Sequence, residues 1–165
     1  MVRNKKEASR IQETRIADAL GWSVVSGSGS RHLNPGDVIS ENWMGECKTH
    51  VNHGHRIKFD LDVWIKIQQE AKSRFKYPVL FSDDGTQNLS HTWAMFPSHS
   101  PVDVRIIDPE YPFKFNKHIS FEHIVLKNRI INQSGDGRPI LYTVTFGSSD
   151  VYIAEFRYFQ QLFGE

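Results

Sequence analysis

In the stretch SGSGSRHLNPGDVISENWMGECKTH, residues 26–50, three side chains carry groups able to do chemistry: Asp37, Glu46 and Lys48. Side chains alternate along a strand, so in Glu46-Cys47-Lys48 the acid and the ammonium share one face and Cys47 takes the other. Asp37 lies eight intervening residues before Glu46. If two short strands pair across a turn at 40–42, Asp37 comes beside Glu46. Two carboxylates turned to one face repel each other, and a divalent cation is the natural compensation. Mg²⁺ suits such a place because it takes one or two carboxylates and completes its shell with water and phosphate oxygens. Mn²⁺ is a chemically suitable substitute. An ammonium beside that cation stabilises an attacking hydroxide or the charge developing on phosphorus. Glu13 supplies a third acid. It shares a helix face with Ile16, Ala17 and Leu20, where a carboxylate is costly unless paired or metal-bound. The chemistry implied is metal-dependent phosphodiester hydrolysis, with Asp37, Glu46 and Glu13 as metal ligands and Lys48 as the catalytic cation.

The same residues also have ordinary readings. E-x-K is a short pattern, and Glu70-Ala71-Lys72 repeats it within a predicted helix, where it reads as a solvated face. Asp37 follows Pro35-Gly36 and suits a turn. Glu13 at a helix boundary suits pairing with Arg10 or Lys6. What favours the site is the order: an acid-bearing helix, a loop, an acid strand, then the E-x-K strand.

These residues need a frame. The spacing predicts a helix over residues 5–20, closed by Gly21 as a C-cap glycine. WSVVS, 22–26, has the composition of a strand. After the glycine-serine loop of 27–36, residues 37–39 and 43–48 read as two adjacent strands. Residues 49–55 read as a polar, His-rich loop. A second helix is predicted over 60–75, with Asp60 as N-cap, Phe59 and Trp64 as a staple, and Leu61, Trp64, Ile67, Ala71 and Phe75 as its core stripe. Pro78 ends it, and 79–82 and 91–96 read as strands. Residues 97–117 carry Pro97, Pro101, Pro109 and Pro112 and read as a long irregular connection. Residues 119–131 suit helix and strand equally. A turn is expected at 134–137, a strand at 140–146, and helical spacing at Phe156, Phe159 and Phe163. The result is an α/β chain: a mixed β-sheet flanked by helices, with a β-rich C-terminal elaboration.

The bulk composition sets limits. With 165 residues, 39% hydrophobic and 24% charged, the chain is globular and of single-domain size. The expected division is one domain over 1–165, with a core about 4–96 and an elaboration about 97–165. No apolar run has membrane-spanning length. The N-terminal MVRNKKEASRIQETR lacks the apolar segment of a secretory signal, and Cys47 is the single cysteine. A cytoplasmic protein without an intrachain disulfide or a Cys-based zinc site is expected. Net charge is +1, but residues 1–76 hold 13 Lys and Arg against 9 Asp and Glu. The half that carries the suspected site is therefore basic, as suits a polyanion.

Taken together, Glu13, Asp37 after Pro35-Gly36, and Glu46-Cys47-Lys48 resemble the PD-(D/E)XK nuclease superfamily. The run GDV…ECKTH…FDLDVWIKIQQEAKSRFKYPVLF is similar to the small Holliday-junction resolvases, especially those of phages. The resemblance covers about residues 4–96 and implies a restriction-endonuclease-like sheet, Mg²⁺-dependent DNA hydrolysis and a homodimer that cuts two strands of branched or junction DNA. It implies that Glu13 is the helix acid, Asp37 and Glu46 the core ligands, Lys48 the catalytic lysine, and Ser28 and Ser30 part of a loop meeting the phosphate backbone. Residues 97–165 match no part of that pattern.

Arg31, His32, Lys58 and Lys66 are candidate phosphate contacts, which position DNA without reading its sequence. Each is equally a solvated charge. His50, His53 and His55 follow no zinc spacing and read as a polar, DNA-facing loop. Gln68 or Gln69 is expected to face the site or plain helix surface. Trp43, Trp64 and Trp93 read as core. Two rival readings stand: a restriction or repair nuclease of the same fold, with base contacts from 97–165, and a non-catalytic DNA-binding phage accessory protein.

Overall fold

Apolar positions four residues apart in the N-terminal segment, Ala8, Ile16 and Leu20 with Gln12 among them, lie on the buried side of a helix in the computed structural model. This helix, α1 (Lys5–Leu20), starts at Asn4, whose side chain accepts a hydrogen bond from the Glu7 N–H at 2.8 Å, and stops at Gly21 with φ 72°. Both ends follow the usual logic of caps: a side-chain acceptor for an orphan N–H, and glycine where the chain turns left-handed. The structure describes residues 4–25, 36–51, 56–99, 105–107, 114–122 and 138–164.

Among the described residues the strands are β1 (Ser23–Val24), β2 (Val38–Ile39), β3 (Trp43–Thr49), β4 (Arg56–Asp60), β5 (Tyr77–Asp83), β6 (Thr92–Pro97), β7 (Arg105–Ile107), β8 (Lys114–Phe115), β9 (His118–Glu122), β10 (Ile140–Phe146) and β11 (Ser149–Glu155). Two further helices are α2 (Leu61–Ser73) and α3 (Phe156–Phe163). The main sheet runs β1-β2-β3-β5-β6-β11-β10-β7, with β8 also paired to β10. Strands β3 and β5 are parallel, because α2 carries the chain back between them; β5–β6, β6–β11 and β10–β11 are antiparallel. Strands β4 and β9 form a separate antiparallel ribbon. The chain is α/β, a mixed sheet flanked by helices, and the C-terminal part is β-rich.

Side-chain alternation assigns the layers. Trp43 and Phe81 point to the face covered by α3, with Phe159 at 5.1 and 5.3 Å from their rings. The other face carries Glu46, Leu80, Ser82 and Trp93. There the ribbon packs through Phe121, 5.1 Å from the Trp93 ring, and through the Ser82 hydroxyl, which donates to the Lys58 carbonyl at 2.7 Å. Trp43, Trp64 and Trp93 are all core residues.

Several expectations need correction. Helix α2 ends at Ser73, and Phe75 is not core: it has φ 56° and is 97% exposed. Asp60 holds the N-cap position but makes no side-chain cap bond; it lies instead 3.5 Å from Lys58 Nζ. Glu70 is not wholly solvated, since its Oε2 is buried without a hydrogen-bond partner. The first strand is shorter than 22–26, and β4 and β11 were not anticipated. Strand β4 pairs only with a short ribbon partner, so its sequence lacks the apolar run of a central strand. Part of 97–117 forms β7 and β8, and the ambiguous 119–131 begins as strand β9. The turn expected at 134–137 lies outside the described residues. No described helix is long and apolar enough to cross a membrane.

Candidate active site

Register brings the two strand acids together. Strand β2 pairs antiparallel with β3 through Val38↔Gly45 and Ile39↔Met44, so the next position sets Asp37 opposite Glu46. The backbone then fixes Asp37. Its N–H donates to the Gly45 carbonyl at 2.8 Å, and its Oδ2 accepts from the Cys47 N–H at 2.8 Å. Gly36 permits this approach: it has φ 77°, and a Cβ there would lie 2.8 Å from Met44 Cγ and 3.3 Å from the Gly45 carbonyl oxygen. Glu46 and Lys48 alternate with the buried Cys47 and meet on their common face, with Lys48 Nζ donating to Glu46 Oε1 at 3.1 Å.

Glu13 joins from α1. Burial, then the charges of Asp37 and Glu46, push its carboxyl up to about 7, partly opposed by Lys48 and Arg10. Burial and Asp37 also raise Glu46, against the pull of Lys48 and Lys66. For Lys48, burial alone would lower the ammonium, but Glu46, by charge and hydrogen bond, and Asp37 outweigh it and the net shift is upward. Burial and the surrounding acids push the Cys47 thiol well above its ordinary value, which makes it an inert core residue. Three acids thus share the influence of one ammonium, Lys48.

Such a cluster is chemically suited to a divalent cation. Among the described residues no group of three or more His, Cys, Asp and Glu closes into a ready-made ligand cage. Asp37 has one oxygen already bonded to backbone and the other not tied by that bond. The donor set therefore fits an ion that takes one or two carboxylates and keeps several waters, as Mg²⁺ does.

The supporting groups were not legible as site residues. Gln12 is 1% exposed, and its Nε2 donates to the Lys48 carbonyl at 2.7 Å. It holds the Glu13 helix against the Lys48 strand. The only signal was a polar residue at the four-residue spacing of Ala8, Ile16 and Leu20. At the ends of β3 and β5, Thr49 Oγ1 donates to Asp83 Oδ1 at 2.6 Å, as does the Gly85 N–H at 2.8 Å. Gln87 Nε2 donates to Thr49 Oγ1 at 3.0 Å, and Arg15 donates to the Gln87 carbonyl at 2.6 Å. Burial raises Asp83 despite those bonds. Next to it, His91 Nδ1 lies 2.7 Å from Asp84 Oδ2, and this bond with that from Thr86 outweighs burial and lowers Asp84.

The remaining candidates divide. Lys66 is exposed, lies 3.7 Å from Glu70 and is close enough to influence Glu46. Lys58 is on β4, ion-paired to Asp60. The His50 ring donates to the Lys58 carbonyl at 3.0 Å, so it ties β4 to the end of β3. Gln68 donates to Ser149 Oγ at 3.3 Å and Gln69 is exposed, so neither is bonded to the acid cluster. Ser28, Ser30, Arg31, His32, His53 and His55 lie outside the described residues.

Comparison with known proteins leaves the geometry to stand by itself: no protein-family model, curated protein or solved structure matches the chain.

Proposed function

We propose that this chain is a Mg²⁺-dependent DNA endonuclease of the PD-(D/E)XK type, a structure-selective enzyme resembling a Holliday-junction resolvase, acting in the cytoplasm as a homodimer. The observation that carries this reading is the convergence of Glu13, Asp37 and Glu46 around Lys48, with Lys48 bonded to Glu46 at 3.1 Å and Glu13 driven up to about 7 by burial and its neighbours. Asp37 and Glu46, with Glu13, would hold the cation, which when bound supplies Lewis-acid polarisation of a phosphate and a more acidic water. The protein's own groups do the rest. Lys48 donates toward charge developing on the phosphate, and Glu46 keeps that ammonium in place. Without the cation Glu13 is pushed up to about 7 by burial and its acidic neighbours, so cation binding there would strengthen as pH rises. A groove of about 600 Å³ along α1 is lined by Lys6, Arg10 and Arg15 with Glu7 among others, a flank of net positive charge for the phosphate backbone.

The test is cleavage of a labelled four-way junction beside a linear duplex of the same arms, with Mg²⁺ and with Mn²⁺, by the wild type and Lys48→Ala. Paired cuts in the junction, reduced about 100-fold or more in the variant, are expected. Equal cutting of both substrates, lost in the variant, would keep the site and replace junction selectivity with general nuclease activity. Absence of metal-dependent cutting of either substrate would remove the enzymatic reading.

A further inference from the structure

The end of α2 carries a cost that packing does not explain. The chain leaves the helix through two hydrogen bonds, from the Phe75 N–H to the Lys72 carbonyl at 3.2 Å and from the Lys76 N–H to the Ala71 carbonyl at 2.9 Å. This is the helix ending whose left-handed residue is usually glycine. Here that residue is Phe75, with φ 56° and 97% exposure. A bulky side chain held in a disfavoured backbone region, with its ring in water, points to a role outside folding.

Its surroundings define the role. Phe75 lines a groove of about 560 Å³ together with Lys72, Tyr77, Pro97 and His99 among others, and none of the described residues lining it is acidic. Tyr77 is 42% exposed and is backed by Trp43, 5.4 Å between ring centroids. Lys76 is committed to structure, its Nζ donating to the Ser40 and Glu41 carbonyls at 2.6 Å each, which locks this end of α2 to the β2–β3 turn. Lys72, which also lines the groove, adds positive charge beside the ring. In the β3–β5 register Tyr77 pairs with Trp43 and Leu80 with Glu46. Tyr77 is thus three strand positions, about 10 Å, from the level of the acid cluster and on the opposite face of the sheet.

We propose that this groove is a nucleobase-stacking site, in which Phe75 takes an unstacked base of branched or single-stranded DNA while Lys72 faces the adjoining phosphate. The inference deepens the DNA reading above and rests on it. A base offers its π-face whatever its identity, so one aromatic ring with neighbouring cations recognises distorted DNA without reading sequence. Among the described residues the charged side chains lining the groove, Lys72 and Lys76, are cationic, which favours a polyanion over a protein surface of mixed charge.

The experiment compares wild type, Phe75→Gly and Phe75→Trp in EDTA, by anisotropy with a labelled four-way junction, a single strand and a blunt duplex. Phe75→Gly should melt at the same temperature as wild type or higher, since glycine suits this φ. It should bind junction and single strand about tenfold more weakly and the blunt duplex unchanged. Phe75→Trp should retain binding, with its exposed indole emission quenched by the junction. Equal affinity of Phe75→Gly and wild type for all three DNAs would overturn the stacking site, even if Mg²⁺-dependent junction cleavage is found and the nuclease reading survives. Phe75-dependent binding without any cleavage would uphold the stacking site and sink the nuclease. A change of oligomeric mass in Phe75→Gly with unaltered DNA affinity would assign the ring to a protein interface and overturn the proposal.

Discussion

Glu13 is the residue whose ionisation reports most directly on the acid cluster. Its carboxyl rises from 4.5 to about 7 in the native state, so the folded protein keeps a proton there that the unfolded chain has released. The associated stability is fully present below pH 4.5 and is lost as pH rises through about 7; Glu46 shifts in the same direction. In EDTA, the melting temperature of the wild type should fall across this window. Glu13→Gln should flatten that slope and melt higher than wild type above pH 7. If the proposed function holds, Mg²⁺ should reverse the order there by stabilising the wild type more than the variant, because a cation at this site would bind the ionised acids. Thermal melts at pH 5, 6 and 8 with and without Mg²⁺ measure this, and parallel profiles for the two proteins would contradict the crowding of acids around Lys48.

At the level of elements, the site depends on how α1 sits on β3. One buried side chain makes that connection: Gln12 donates to the Lys48 carbonyl at 2.7 Å while its own Oε1 is buried without a partner. Gln12→Ala removes the only side-chain donor described for that carbonyl and leaves a space beside it. Loss of about 1–3 kcal/mol is expected by urea titration, with weaker Mg²⁺ binding because Glu13 is no longer held over Glu46. Unchanged stability would mean that apolar packing of Ile16, Ala17 and Leu20 alone positions the helix. The start of β2 was readable from Pro35-Gly36-Asp37, since a turn followed by β-branched residues is a local signal. The end of α2 was not. The periodicity ran on to Phe75, and nothing local distinguishes a core phenylalanine from one turned outward by a left-handed residue.

For the molecule as a whole, the C-terminal part belongs to the same sheet and core as the site. Strand β11 lies between β6 and β10, and α3 closes the face behind β3. Phe159 is the centre of this closure, with ring centroids 5.8 Å from Trp22, 5.1 Å from Trp43, 5.3 Å from Phe81 and 5.2 Å from Phe96. Phe159→Ala should cost about 3–5 kcal/mol. A fragment of residues 1–97 should fail to give a cooperative unfolding transition, since β6 loses β11 from one side and the aromatic face of β3 and β5 is exposed. A cooperative melt with near-ultraviolet circular dichroism like that of the full chain would show that the first half folds alone.

What the sequence determined by itself was local. The extent of α1 and its C-cap follow from the apolar spacing and Gly21, while the N-cap Asn4 was seen only in the structure. The opposite facing of Glu46 and Cys47 follows from strand alternation, and the meeting of Asp37 and Glu46 from one short hairpin register. Each depends on residues close together along the chain. The tertiary structure alone decided the rest: Gln12 against Lys48, Asp83 bonded to Thr49, β11 beside β6, and Phe75 in solvent. These pairings join residues distant in sequence, or hinge on one backbone angle. Propensity and periodicity carry no information about which distant surface will meet which, so such contacts emerge only when the whole sheet packs.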